Sequence, residues 1–167
     1  MKKSIIIVML ITFGLMFGCV GTKPIPESEK GPIEYVIEVQ GFEKNYIYDT
    51  IRMWIAENFK SAKAVIEYTN KENGTIIGNG SMEYLCQGME CFAIAYNGLT
   101  SSAFFTMRVD IKDNKIRLIF MNLRYSIGGH PYQPFSEKAR IAHKPKFLAF
   151  GDEIKLYIEQ DNKEKDW

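Results

Sequence analysis

Chemistry in this chain would have to come from few residues. His130 and His143 are its two histidines, and Ser126 and Ser136 stand near them in sequence. A hydrolytic serine needs a histidine, a carboxylate and a sharp strand-to-helix elbow to present it. Neither serine has that context. Glu34, Glu38 and Glu67 fall on strand-like segments, where one sheet face would bring them together as paired carboxylates. Solvated acids, however, are the ordinary filling of an outer sheet face. No H-E-x-x-H, P-loop or dinucleotide fingerprint occurs. The residues therefore assign no catalytic group, no metal and no cofactor. The alternative is a small-ligand binder or hydrolase with a cleft near His130 and His143, between the last helix and the sheet.

The cysteines carry a different chemistry. Lys2 and Lys3 precede an apolar run from Ile5 to Gly18, 14 residues long, and Cys19 follows directly. A bilayer span needs about 20 residues, so this run reads as a signal segment over 1–18 rather than a spanning helix. A small residue followed by cysteine at its end resembles a bacterial lipoprotein processing site. Met16 departs from that pattern at the third position before the cysteine, with Leu15 adjacent. Lipidation of Cys19 would make the membrane a partner and place the domain at the bacterial cell envelope, periplasmic or surface-facing. The alternatives are an ordinary signal peptide, giving a secreted or periplasmic soluble protein, and an uncleaved anchor. Cys86 and Cys91 lie in LCQGMECF. An oxidising compartment favours a disulfide between them. Metal ligation needs more ligands than the segment offers, and C-x-x-C is absent.

The processed chain would run from Cys19 to Trp167, one domain of 149 residues with 19 basic and 20 acidic side chains. That balance gives no electrostatic case for nucleic acid, whose binding rests on phosphate neutralisation. At 46% hydrophobic and 13% aromatic, the sequence can bury a sizeable core. Residues 19–32 hold three prolines and several charges and read as a tether. The folded domain is expected over 33–160, and the charged 161–167 as a frayed tail.

The elements follow from periodicity. Ile33, Tyr35, Ile37 and Val39 alternate with Glu34, Val36 and Glu38, a half-buried strand. Asn45 is a reasonable N-cap for a helix over Tyr46–Phe59, in which Ile47, Ile51, Trp54, Ile55 and Phe59 form one stripe. A strand over Ala64–Thr69 turns at residues 70–74 and returns as Thr75–Tyr84. Gly78 and Gly80 share a face of it, which points to a close helix approach or a bulge.

Two strings on this stretch carry a resemblance. The first comprises Trp54, Glu57, Asn58, Phe59, Lys60, Ser61, Ala62, Lys63, Val65 and Ile66. The second comprises Lys71, Glu72, Gly74, Ile76, Ile77, Gly78 and Gly80. Together they resemble a family of exported bacterial domains of unknown function that is assigned a TATA-box-binding-protein-like fold. The resemblance covers Ile33 to Tyr125, more loosely to the end. It implies an α+β domain of layout β-α-β-β-β-β-α, with an antiparallel sheet and its helices packed on one face. It carries over no activity and no catalytic residue. The segment Leu85–Leu99, with both cysteines, is longer than that pattern expects.

A two-residue turn at Asp113-Asn114 sets a hairpin of Ala103–Lys112 with Lys115–Tyr125. One face pairs Ile111/Ile116, Val109/Leu118 and Met107/Phe120 as core. The other pairs Asp110/Arg117, Arg108/Ile119, Thr106/Met121 and Phe104/Leu123. With helices on one face only, Phe104, Ile119, Met121 and Leu123 would form an exposed apolar patch for an envelope protein or a second copy of the chain. Alternatively, Leu85–Leu99 or Ser126–Pro145 folds across it. Ser126–Pro145 reads as a loop with a short helical turn at Ser136–Ala142, and Asp152–Gln160 as the last helix.

Overall fold

The computed structural model describes residues 31–59, 65–86 and 88–164. The expected signal segment, Cys19, the expected tether to residue 30, Lys60–Ala64, Gln87 and the last three residues lie outside them. Strand β1 (Ile33–Glu38) buries Ile33 and Ile37 and turns Glu34, Val36 and Glu38 outward, as its alternation dictates. Helix α1 (Lys44–Asn58) buries Ile47, Ile51, Trp54 and Ile55 along the predicted stripe. It starts earlier than Asn45 suggests. Its N-cap is Glu43, without a side-chain cap, and the Lys44 N–H donates instead to Asp113 Oδ1 at 2.8 Å. A carboxylate from a distant turn thus meets one of the helix's orphan donors.

Strands β2 (Val65–Asn70) and β3 (Thr75–Glu83) form a hairpin with a bulge near Glu67. The long Leu85–Leu99 segment, to which periodicity assigns no element, holds helix α2 (Met89–Tyr96). Strands β4 (Ser101–Lys112) and β5 (Lys115–Ile127) pair about the Asp113-Asn114 turn. A two-residue strand β6 (Gln133–Pro134) pairs with β5. Helix α3 (Glu137–Glu164) closes the chain. All pairings are antiparallel, in the order β1-β5-β4-β3-β2, with β6 also on β5.

The sheet packs against α1 and α3 on one face. Phe105 and Phe120 of the sheet meet Phe147 and Phe150 of α3 with ring centroids 4.7 to 6.0 Å apart. Trp54 of α1 meets Phe150 at 6.1 Å, so the two helices close over one aromatic cluster. Gly80 on β3 makes room for it, since a Cβ there would enter the Phe105 ring. Its partner is a sheet side chain rather than a helix, and the bulge offered as the other reading lies on β2 next to Ile66, the residue opposite Gly78.

Helix α3 is a correction. Pro145 and Gly151 suggested a loop followed by a short helix, yet one helix of 28 residues runs through both. Its buried positions Ala139, His143, Phe147, Ile154 and Ile158 form a continuous stripe, and burying it outweighs the helix breakers. Gly151 marks where α3 crosses β1, because a Cβ there would strike the Tyr35 ring. The expected frayed tail is also shorter. Asp161 Oδ2 accepts hydrogen bonds from Tyr46 Oη at 2.8 Å and Thr50 Oγ1 at 3.4 Å. Burial, and then the Asp161 carboxylate, push the Tyr46 hydroxyl pKa up to about 12.

Candidate functional site

The predicted hairpin register holds from Ile111/Ile116 to Thr106/Met121 and then slips. The next pair is Phe104 with Arg124, so β5 spends three residues where β4 spends two. The extra residue is accommodated at Asn122, whose φ of 54° lies in the left-handed region that Asn tolerates better than most side chains. Leu123 therefore turns to the helix side and joins the core at 8% exposure. The expected Phe104/Leu123 pair does not exist. Ile119 stays on the outer face but is only 8% exposed, and Met121 is half-buried. The four-residue apolar patch is not assembled.

A polar lattice occupies the middle of that face instead. Asn122 Nδ2 donates to Thr106 Oγ1 at 3.2 Å, and Thr106 Oγ1 donates to Asn79 Oδ1 at 2.9 Å. Asn79 Nδ2 in turn donates to Glu67 Oε1. Alongside, Asp110 receives Arg108 Nε at 2.9 Å and Arg117 Nη2 at 2.7 Å. Partial burial pushes the Asp110 carboxyl up, but the two guanidinium groups outweigh it and hold the group below its ordinary range. Glu34 and Glu38 lie on β1 and Glu67 on β2, the two outer strands of the five-strand path. Four strand spacings, about 19 Å, separate them, so they make no carboxylate pair.

Apolar surface persists at one end of the face. Phe104 meets Tyr132 edge-on, centroids 4.9 Å apart, and the Arg124 guanidinium lies 5.3 Å from the centre of the Tyr132 ring. The loop after β5 thus folds back over Phe104, as one alternative anticipated. Beside it runs a groove of about 580 Å³ lined by Thr100, Ser102, Phe104, Ser126, His130 and Tyr132 among others. Only Phe104 of the predicted patch reaches this groove. Arg124 was missed because its outward turn depends on the bulge, and Tyr132 because its place depends on how the loop after β5 returns.

The two histidines take different roles. His130 is exposed on the groove rim, and Ser126 Oγ donates to its backbone carbonyl at 2.6 Å rather than to its ring. His143 is fully buried in α3. Its Nε2 accepts the Leu85 N–H at 2.8 Å and its Nδ1 lies 2.7 Å from the Ala139 carbonyl. A neutral ring protonated on Nδ1 satisfies both contacts. Tyr84 and Phe135 flank it, centroids at 5.1 and 4.7 Å. Burial pushes its pKa below the ordinary value and Lys146 adds to this, while the Ala139 carbonyl works against them. His143 is therefore a strut tying α3 to the β3–α2 connection, and the cleft expected around it is filled by core. Ser136, the other candidate nucleophile, caps α3 by accepting the Ala139 N–H at 3.2 Å.

Cys86 and Cys91 are joined as a disulfide, with Cα atoms 5.0 Å apart, at the base of α2. No group of three or more metal-ligating side chains occurs among the described residues. None of their helices is long and apolar enough to cross a membrane.

Comparison with solved structures gives the fold a context. A DUF4468 family protein from Bacteroides ovatus superposes with a TM-score of 0.54 at 15% identity, covering 84% of this chain and 90% of that one. A TBP-like protein from Parabacteroides distasonis superposes with a TM-score of 0.55 at 14% identity, covering 80% and 96%. At such identities the likeness speaks for the fold alone. No curated protein matches the chain. The model of the domain of unknown function DUF4468, with TBP-like fold, matches residues 34–126, from the second residue of β1 to the last but one of β5. Fold, element order and family model agree, and the chain belongs to the DUF4468 family.

Proposed function

We propose that the protein is a non-catalytic binding module of the bacterial cell envelope, held there by a lipid on Cys19, and that it engages a protein partner through the Phe104–Tyr132 end of the open sheet face. The observation that carries this reading is the corner of Phe104, Tyr132 and Arg124, where the polar lattice stops and two rings and a guanidinium meet solvent. Aromatic and arginine side chains of this kind supply most of the energy at protein interfaces. The rest of the face has its polar groups paired with one another, which leaves less for a partner to gain.

A photo-crosslinking residue at Ser102, in cells carrying the full chain, reads the surface directly. Tyr132→Ala with Phe104→Ala should remove the crosslinked species, and Val36→Ala, on the same face away from the corner, should keep it. A double variant that crosslinks as before refutes the site. A second reading places a small ligand in the same groove, because about 580 Å³ falls within the usual size of small-molecule sites. A metabolite screen by thermal shift should then find a stabilising compound whose effect disappears in His130→Ala. The hydrolytic form of that reading would have to do without a Ser126–His130 contact through the ring, since the serine hydrogen-bonds the backbone.

A further inference from the structure

Helix α2 carries apolar surface that no described element covers. Met89, Phe92 and Tyr96 are 88%, 72% and 81% exposed, and they lie at i, i+3 and i+7 on one helix face. The Phe92 and Tyr96 rings stack with centroids 6.2 Å apart. Ile94 points the other way and is buried, and the Cys86–Cys91 disulfide ties the helix base. Fold stability does not account for so much exposed apolar surface on so short a helix.

The place of α2 in the fold says what covers it. It bridges Glu83, opposite Ser102, and Ser101, opposite Ile127, so it stands at the end of the sheet where β5 finishes. Leu99 and Tyr132 are exposed at this same end. The chain enters the domain toward the same end. Ile33 pairs with Phe120, and Gly31 before it is held by Arg140, whose guanidinium donates to its carbonyl. The remaining length of β5 from Phe120 to Ile127 spans about 23 Å. The twelve residues from Cys19 to Lys30 reach about 37 Å at polyproline spacing, so a lipid on Cys19 can sit in the bilayer that α2 touches. The opposite end of the sheet, around Lys112, Asp113 and Lys115, presents charges.

We infer that α2 docks on the lipid bilayer, with Met89, Phe92 and Tyr96 seated at the headgroup–acyl boundary, and so fixes the domain's orientation on its anchor. The side chains suit that zone, since Phe and Met bury in acyl chains and Tyr keeps its hydroxyl at the headgroups. Docking turns the open sheet face sideways along the membrane. The inference rests on the envelope-anchoring reading above, and the two fail separately.

The test uses the mature full chain, taken from membranes and reconstituted in phosphatidylethanolamine/phosphatidylglycerol vesicles, with Phe92→Trp as reporter and the unsubstituted chain as background. The Phe92→Trp reporter should emit at shorter wavelength on vesicles than in detergent-free buffer, and lose intensity when the acyl chains are brominated. Met53→Trp, on exposed α1 surface, should not respond. An unshifted, unquenched signal overturns the inference. So does a blue shift that bromination leaves untouched and that appears with a crosslinked dimer, which would mean that a second copy covers α2. The anchor is read by intact mass, as added acyl chains on Cys19. If Cys19 is unmodified, the anchoring reading falls, and the reporter, with the full chain added to the same vesicles, still decides whether α2 binds lipid.

Discussion

Replacing Gly151 by alanine separates two opposed effects cleanly. In an open helix the substitution stabilises by about 1 kcal/mol, because glycine gives up more backbone freedom than alanine. Here the new methyl would enter the Tyr35 ring, with Ile37 Cδ1 at 3.3 Å leaving little space to its side. Overpacking of this kind costs about 1 to 3 kcal/mol, so the collision should win and the net loss should be about 1 kcal/mol. Tyr35→Ala removes the obstacle, and in that background Gly151→Ala should stabilise. The two opposite signs make a coupling of about 2 kcal/mol, measurable by a double-mutant cycle. Urea unfolding followed by the fluorescence of Trp54, which lies 6.1 Å from Phe150 of α3, provides the readout. If Gly151→Ala stabilises the protein equally with and without the Tyr35 ring, α3 does not cross β1 at this distance and the reasoning fails.

Other perturbations test the remaining assignments. His143→Ala should cost about 3 kcal/mol, because it leaves a hole between Tyr84 and Phe135 and strands the Leu85 N–H. The folded-state pKa of His143 is lowered, so its effect on stability is absent above the unfolded value near 6.5. As pH falls below that value the unfolded chain takes up the proton first, and stability should drop by up to about 1.4 kcal/mol per pH unit. Denaturant midpoints between about pH 7 and 5 should show this slope in wild type and lose it in His143→Gln. Leu123→Asp should unfold the domain, with a loss of about 4 kcal/mol or more, and Phe104→Asp should cost under about 1 kcal/mol. Equal melting curves for those two would contradict the bulge. Cys86→Ser with Cys91→Ser should cost about 2 kcal/mol, and superimposable melts of oxidised and reduced wild type would show that the crosslink contributes nothing.

Much of the scaffold was legible because it obeys local rules. The α1 stripe and the Asp113-Asn114 turn depend on spacing alone, and both stand where periodicity put them. Helix α3 was read in pieces because Pro145 and Gly151 are breakers by propensity, and because polar His143 interrupts the apolar pattern. Its stripe becomes visible once the histidine is counted as buried, which only its partners Leu85 and Ala139 justify. Helix α2 was invisible for the opposite reason, since Met89, Phe92 and Tyr96 face solvent where a core stripe would be sought. The candidate site suffered most. Strict alternation on β5 put Leu123 beside Phe104, and no residue type near it except Asn122 hinted otherwise. The groove formed by Phe104, Tyr132 and His130 depends on how a loop returns over a sheet, and pairing rules do not reach that far.

The bulge at Asn122 also has a bearing on solubility. If Asn122 took ordinary strand geometry instead of bulging, β5 would keep one alternation throughout and turn Leu123, Tyr125 and Ile127 outward, in line with Ile119 and Met121. That would be a long apolar ribbon on an uncovered sheet face, close to an edge that β6 pairs over only two residues. Ribbons of that kind template strand addition between molecules. One asparagine in a left-handed conformation sends these side chains under α3 and leaves Arg124 outside. Asn122→Val, whose branched side chain resists the left-handed conformation, should therefore show itself first as light scattering on refolding, before any loss of secondary structure is detected, whereas deleting Asn122 leaves Leu123 facing inward and should not.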